Sequence, residues 1–182
     1  MINVHQLTKK FNVIIDYWLT ELKGYSFDQL LLQPDQNSWS MGQVYAHIIE
    51  ETGFFFQQVR ICLSDNENSA KSMSEGAKEL FLTNAFPNKK LVGPPEIVVG
   101  QPGNKIQLQV GLMDLYDQAN DLGKEISNND NSGKTKHPGH GYLDAREWYQ
   151  YAEMHLRHHI RQKDRIDSFL KMSPSENEPE IL

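Results

Sequence analysis

Near the C-terminal end of the chain, an apolar helical face is interrupted by three successive polar residues, and this limits how the chain can pack. Advancing about 100° per residue, Trp148, Tyr151, Ala152, Ile166, Phe169 and Leu170 fall on one stripe, and His155, His159 and Gln162 fall on it too. Arg146, Gln150, Arg157, Arg161 and Asp164 point elsewhere. Burying imidazoles without partners costs on the order of a few kcal/mol each, so hydrogen bonds or a metal must satisfy them. Histidines at i and i+4 project from adjacent turns and can share one ion, as in helical zinc sites.

The rest of the chain supplies the helices against which such a face packs. Val4, Leu7, Phe11, Ile14, Ile15, Trp18 and Leu22 recur at helical spacing and predict a first helix ending near Gly24. The stretch containing Pro34 reads as a connection. Ser40 as N-cap with Gln43 three residues on predicts a second helix from Met41 to about Leu63, with Val44, Ile48, Phe55, Val59 and Cys62 as its apolar stripe. Leu108, Leu112, Leu115, Ala119, Leu122 and Ile126 mark a third. Asp144 and Glu147 form the capping box of a fourth, which continues to about Lys171.

Between Ser64 and Asn104 the chain is polar and then rich in proline and glycine, with a short helix expected around Glu75–Thr83. A connection of this length is either a crossover over the bundle or a lid, and a crossover is the favoured reading. No strand alternation of any length is evident, and "SNNDNSGKTKHPGHGY" reads as a polar loop. One domain over residues 1–172 and a disordered tail over 173–182 are expected.

A third ligand must come from another helix, and His47, at the edge of the second helix's stripe, is the candidate. Three neutral imidazoles leave positions open for water or substrate, as in catalytic rather than structural sites. Gln162 could orient a ligand, and Glu51, one turn after His47, could support or join the site. His158 points about 60° away from His155 and reads as flanking, with a smaller chance of replacing a ligand. His137 and His140 could reach the mouth from the loop before the fourth helix, although histidines in such loops are more often exposed or structural. Tyr142 and Tyr151 could supply a hydroxyl. Trp18, Trp39 and Trp148 are assigned to the core. Leu156 follows His155 where H-E-x-x-H would place its glutamate, so the zinc-protease motif is absent.

Composition narrows the function. A formal net charge of −6 disfavours nucleic acid as a partner. Cys62 is the single cysteine, which rules out an internal disulfide and a cysteine-based zinc site and reads as an inert buried thiol. No segment has the roughly 20 apolar residues needed to cross a bilayer, and the N-terminus lacks a signal-peptide pattern, so a cytoplasmic location is expected.

"SWSMGQVYAHIIE" resembles the Trp-Ser-x-x-(Glu/Gln)-x-x-x-His segment of the DinB/YfiT-like superfamily, and "HLRHHIRQ" resembles its His-x-x-x-His-x-x-Gln segment. "HPGHGYLDAREWYQYAEMHLRHHIRQ" is also similar to the His-Pro-x-x-Gly-x-Leu lead-in of one branch. The resemblance implies an all-α four-helix bundle, up-down-down-up, with a long crossover between the second and third helices. It also implies a divalent metal, zinc or nickel, on His47, His155 and His159. A homodimer and a small-molecule substrate are in keeping with it. Members of known activity are mostly thiol-dependent transferases using low-molecular-weight thiols, and others are described as metal-dependent hydrolases. His158 and Arg161 near the ligands, and Gln43 where Glu is common, depart from the family pattern. Thiol S-transfer is therefore the first expectation, metal-dependent hydrolysis the second, and a non-enzymatic, stress-related metal-binding bundle the third.

Overall fold

The computed structural model describes residues 3–87 and 98–172. Four long helical arms surround one apolar core: α1 (Val4–Lys23), α3 (Met41–Ser64), α5 (Lys105–Ser127) and the pair α6 (Ala145–His158) and α7 (Ile160–Met172). Two short helices, α2 (Phe27–Leu31) and α4 (Glu75–Thr83), lie in the connections. Each of α1 and α3 packs against both α5 and α6, so α1 and α3 meet diagonally through the core. There the Phe11 and Phe56 rings stand 5.4 Å apart, and Trp18 meets Tyr45 edge-on at 5.2 Å.

Local chemistry sets the helix starts. Ser40 and Gln43 cap α3 reciprocally, as do Asp144 and Glu147 at α6, each pair satisfying backbone donors that have no intrahelical acceptor. Gln43 also donates to the Val99 carbonyl at 2.7 Å, anchoring the chain's return to the bundle at the start of α3. Both described ends of the connection between α3 and α5 are thus tied down, with α4 lying against α6. Residues 88–97 of that connection and the expected 173–182 tail lie outside the described residues.

The structure departs from expectation at three places. The polar loop before α6 contains an antiparallel hairpin, β1 (Lys134–His137) with β2 (Gly141–Asp144), in which Thr135 faces Leu143 and His137 faces Gly141. The fourth helical arm is interrupted at His159, and Gln162 N–H and Lys163 N–H both donate to the His159 carbonyl, at 3.1 and 2.9 Å. Trp39 is half-buried beside the core rather than within it, whereas Trp18 and Trp148 are fully buried.

The hairpin is held by the segment that follows α3. Ser74 N–H donates to the His140 carbonyl and Tyr142 N–H to that of Ser72. Gly141 has φ +78°, and a Cβ there would stand 2.9 Å from Ser74 N and 3.0 Å from Ser72 O. Both the conformation and the close approach require glycine. Gly141→Ala is expected to cost on the order of 1–3 kcal/mol and to lower Tm by several degrees in thermal unfolding followed by circular dichroism.

Candidate metal centre

The α3/α6 seam brings together the three histidines singled out in the sequence. His47 comes from the second turn of α3, His155 from the last turn of α6 and His159 from the junction with α7. Each offers a ligand atom, and these atoms all lie within 4.8 Å of one another. His155 Nε2 and His159 Nε2 are 3.2 Å apart, close to the ~3.3 Å expected of two nitrogens ~2.0–2.1 Å from one tetrahedral ion. Among the described residues, the group contains no carboxylate or thiol.

Hydrogen bonding fixes how the His159 ring presents itself. The Gln162 side-chain oxygen lies 2.9 Å from His159 Nδ1 and can only accept, so Nδ1 carries the proton. His159 Nε2 is left with its lone pair facing His155. Such an outer partner sets tautomer and ring orientation at metal-ligating histidines. His155 Nδ1 is enclosed and has no hydrogen-bond partner among the described residues. A cation shared by the three ligand atoms would suit this donor set, since neutral imidazole nitrogens are ordinary ligands of divalent ions.

Burial also keeps the rings uncharged. Desolvation, reinforced by His158, pushes His47 down to about 4. Desolvation and then His47 push His159 down to about 3, against the opposing bond to Gln162. His155 is driven well below the ordinary histidine range by desolvation first and by its imidazole neighbours second. Neutral rings are the state that can ligate a metal.

Aromatic side chains flank the histidines. Trp39 lies 4.8 Å from His47, centroid to centroid, while Phe55 and Phe86 lie 5.4 and 6.4 Å from His155. Phe86 follows α4 and is held there by side chains of α6. Arg157 donates to the Asn84 carbonyl, and Gln150 to the Asn84 side-chain oxygen and the Phe81 carbonyl. Arg157 also pairs with Glu153, which is 1% exposed. Gln150 and Arg157 lie off the histidine stripe, as the helical wheel indicates, but are buried and half-buried there because the connection through Phe81 and Asn84 covers them. The i,i+4 spacing of Glu153 and Arg157 was visible in the sequence, but the loop they would hold was not.

The remaining candidates stand around the histidines without joining their ligand group. Glu51 is half-buried, its carboxyl pushed up by desolvation and then by Glu50, and it raises the Tyr151 phenol, which burial has already pushed up. His158 packs on Phe86 and accepts from Arg161 at Nδ1. His140 packs on His137 in the hairpin, with ring centroids 4.4 Å apart, and is not one of the three grouped histidines. Cys62 is buried, as expected, with its thiol pushed up by desolvation.

With this geometry in hand, comparison with known proteins places the chain in a family. The sequence pattern of the DinB superfamily matches residues 13–162, and the chain belongs to that superfamily. Its fold is similar to that of a solved structure, YfiT from Bacillus subtilis, with a TM-score of 0.64 and 11% identity over 93% of this chain and 89% of that one. YfiT is described as a probable metal-dependent hydrolase with an unusual four-helix bundle topology. No curated protein matches the sequence significantly. No helix among the described residues is long and apolar enough to cross a membrane.

The depressed histidines give the metal-free protein a defined pH dependence. Unfolded imidazoles take up protons near 6.5, whereas His47 and His159 in the fold resist until about 4 and 3. Their contribution to stability is therefore fully present above pH 6.5 and is lost progressively as pH falls toward 4 and 3. Between pH 7.5 and 5 the expected loss is on the order of 2 kcal/mol for each ring. Urea unfolding in the presence of a chelator measures this, and His47→Leu should flatten the pH profile over that range.

Proposed function

We propose that the chain is a metal-dependent enzyme in which His47, His155 and His159 hold one divalent ion, zinc or nickel, and that it transfers a low-molecular-weight thiol to an electrophilic small molecule. The observation carrying this reading is the convergence of three neutral imidazoles without a carboxylate or thiol among them in the described residues. Such an ion acts as a Lewis acid and lowers the pKa of a water or thiol that it binds.

The chain's own residues contribute orientation and exclusion of water. Gln162 keeps the His159 proton on Nδ1 and turns Nε2 toward the shared position. Trp39, Phe55 and Phe86 place apolar rings beside the histidines, favouring an electrophile with an apolar body over a highly solvated one. A thiol, with an ordinary pKa near 8.5, needs far less activation than water. That difference supports S-transfer at a centre with no carboxylate base among the grouped residues.

A second reading, hydrolysis, is favoured by the description of YfiT, although at 11% identity that likeness speaks for the fold alone. A metal that raises stability without any turnover would instead indicate a non-catalytic binding protein.

Metal analysis of protein purified without a histidine tag is expected to give about one ion per chain, and His155→Ala should reduce it to background. Gln162→Leu should weaken metal affinity roughly 10–100-fold, measured by chelator competition, while leaving the fold intact. Chlorodinitrobenzene conjugation with a panel of low-molecular-weight thiols tests transfer, and p-nitrophenyl acetate without thiol tests hydrolysis. Absence of metal from the wild-type protein would overturn both enzyme readings.

A further inference from the structure

One turn of α1, residues 18–21, makes a polar contact with each of the three segments that carry a grouped histidine. The Tyr45 hydroxyl, two residues before His47 on α3, donates to the Trp18 carbonyl at 3.0 Å. The Trp18 indole N–H donates to the Leu156 carbonyl, one residue beyond His155, at 3.3 Å. Glu21 pairs at 2.5 Å with Lys163, one turn beyond His159 on α7. Trp18 and Glu21 thus grip the fourth helical arm on either side of its interruption at His159. Because Gln162 N–H and Lys163 N–H both donate to the His159 carbonyl, the first turn of α7 is bonded directly to this histidine.

Lys163 carries a buried charge. Its ammonium meets Asp167 at 2.7 Å as well as Glu21, and the Tyr17 and Tyr25 ring centroids lie 5.5 and 6.0 Å away. Tyr25 in turn donates to Asp167. Desolvation works against the charge, but hydrogen bonds to Asp167 and Glu21 outweigh it, so the ammonium keeps its proton. A buried ion pair is a poor source of net stability, because desolvating both partners offsets much of their attraction. What a satisfied buried network does supply is a unique geometry. Lys163 reaches both carboxylates only when α7 sits at one height and one rotation against α1.

We propose that residues 18–21 of α1 are the template that spaces the three imidazoles, and that Lys163, through Glu21 and Asp167, is the positioning residue for His159. This rests on the reading of the three histidines as a metal centre and adds the device that sets their spacing. Each ligand segment has its own tie to α1, so cutting one tie displaces one ring: Lys163 governs His159, and Tyr45 governs His47. A displaced nitrogen lengthens one metal–ligand distance, and affinity falls while the fold persists. Gln162 lies between His159 and Lys163 in the chain, so its bond to His159 Nδ1 is set by the same clamp.

Lys163→Met combined with Asp167→Asn removes the ammonium, leaves no buried carboxylate opposite it on α7, and keeps an acceptor for Tyr25. Lys163→Arg keeps the charge, and Tyr45→Phe cuts only the α3 tie. In untagged full-length protein, zinc affinity measured by chelator competition is expected to fall about tenfold in the double variant and in Tyr45→Phe. The Tm of the metal-free protein should stay within a few degrees of wild type, and Lys163→Arg should keep most of the affinity. Long-range 1H–15N NMR of the metal-free histidine side chains separates positioning from general loosening. The double variant should shift the His159 signals and leave those of His47 nearly unchanged, and Tyr45→Phe should do the reverse. Wild-type zinc affinity in the double variant, an affinity loss matched by a collapse of Tm, or shifts spread equally over all three histidines would overturn the proposal. Absence of zinc binding by the wild-type protein would count against the metal reading, and the metal-free NMR patterns would still decide the positioning.

Discussion

Uncharged imidazoles buried where α3 meets α6 are the constraint on which the rest of the structure depends. Protonating any one of them would place a cation among other imidazoles and apolar rings, and desolvation sets itself against that. Left neutral they are only partly satisfied: His155 Nε2 and His159 Nε2 share one hydrogen bond across 3.2 Å, and His155 Nδ1 has no hydrogen-bond partner among the described residues. The fold meets part of this with Gln162, which takes the His159 proton in a hydrogen bond. An ion at the shared position would meet the rest.

Several features away from the centre can be understood as holding this seam in register. The Phe11–Phe56 and Trp18–Tyr45 contacts join α1 to α3 through the core, and the Trp18 indole N–H donates to the Leu156 carbonyl one residue beyond His155. Beyond His159, Lys163 is 3% exposed and bridges Glu21 on α1 and Asp167 on α7, with Tyr25 donating to Asp167 at 2.5 Å. Burying that ammonium is tolerable because two carboxylates surround it, and the effect is to fix α7 against α1 just past the break. Glu153 and Arg157 do a similar job on the other side, fastening the Asn84 backbone so that Phe86 covers the histidines.

Periodicity made much of this legible in the sequence. Apolar stripes and capping boxes define α1, α3, α5 and the start of α6 within a few residues, because those signals are local. The inward direction of His155, His159 and Gln162 followed from the same period, and His47 from its place on α3. What stayed hidden depends on tertiary contact. Each strand of the hairpin is four residues long, too short to show alternation, and its register comes from hydrogen bonds to Ser72 and Ser74. The break at His159 has no proline or glycine to announce it. Gln150 and Arg157 sit off the apolar stripe, yet they are covered by a connection whose path no local pattern encodes.

Membership of the DinB superfamily and a fold similar to that of YfiT agree with this architecture. They leave the chemistry to be read from the centre, where the decisive issue is whether one ion occupies the point on which the imidazoles converge. A crystal structure of untagged protein, with anomalous scattering recorded at the metal edge, addresses it most directly. The account predicts a single peak about 2.0–2.1 Å from a nitrogen of each of His47, His155 and His159, with Gln162 still bonded to His159 Nδ1. A peak bound elsewhere, or three histidines bridged only by water in protein supplied with zinc and nickel, would contradict it.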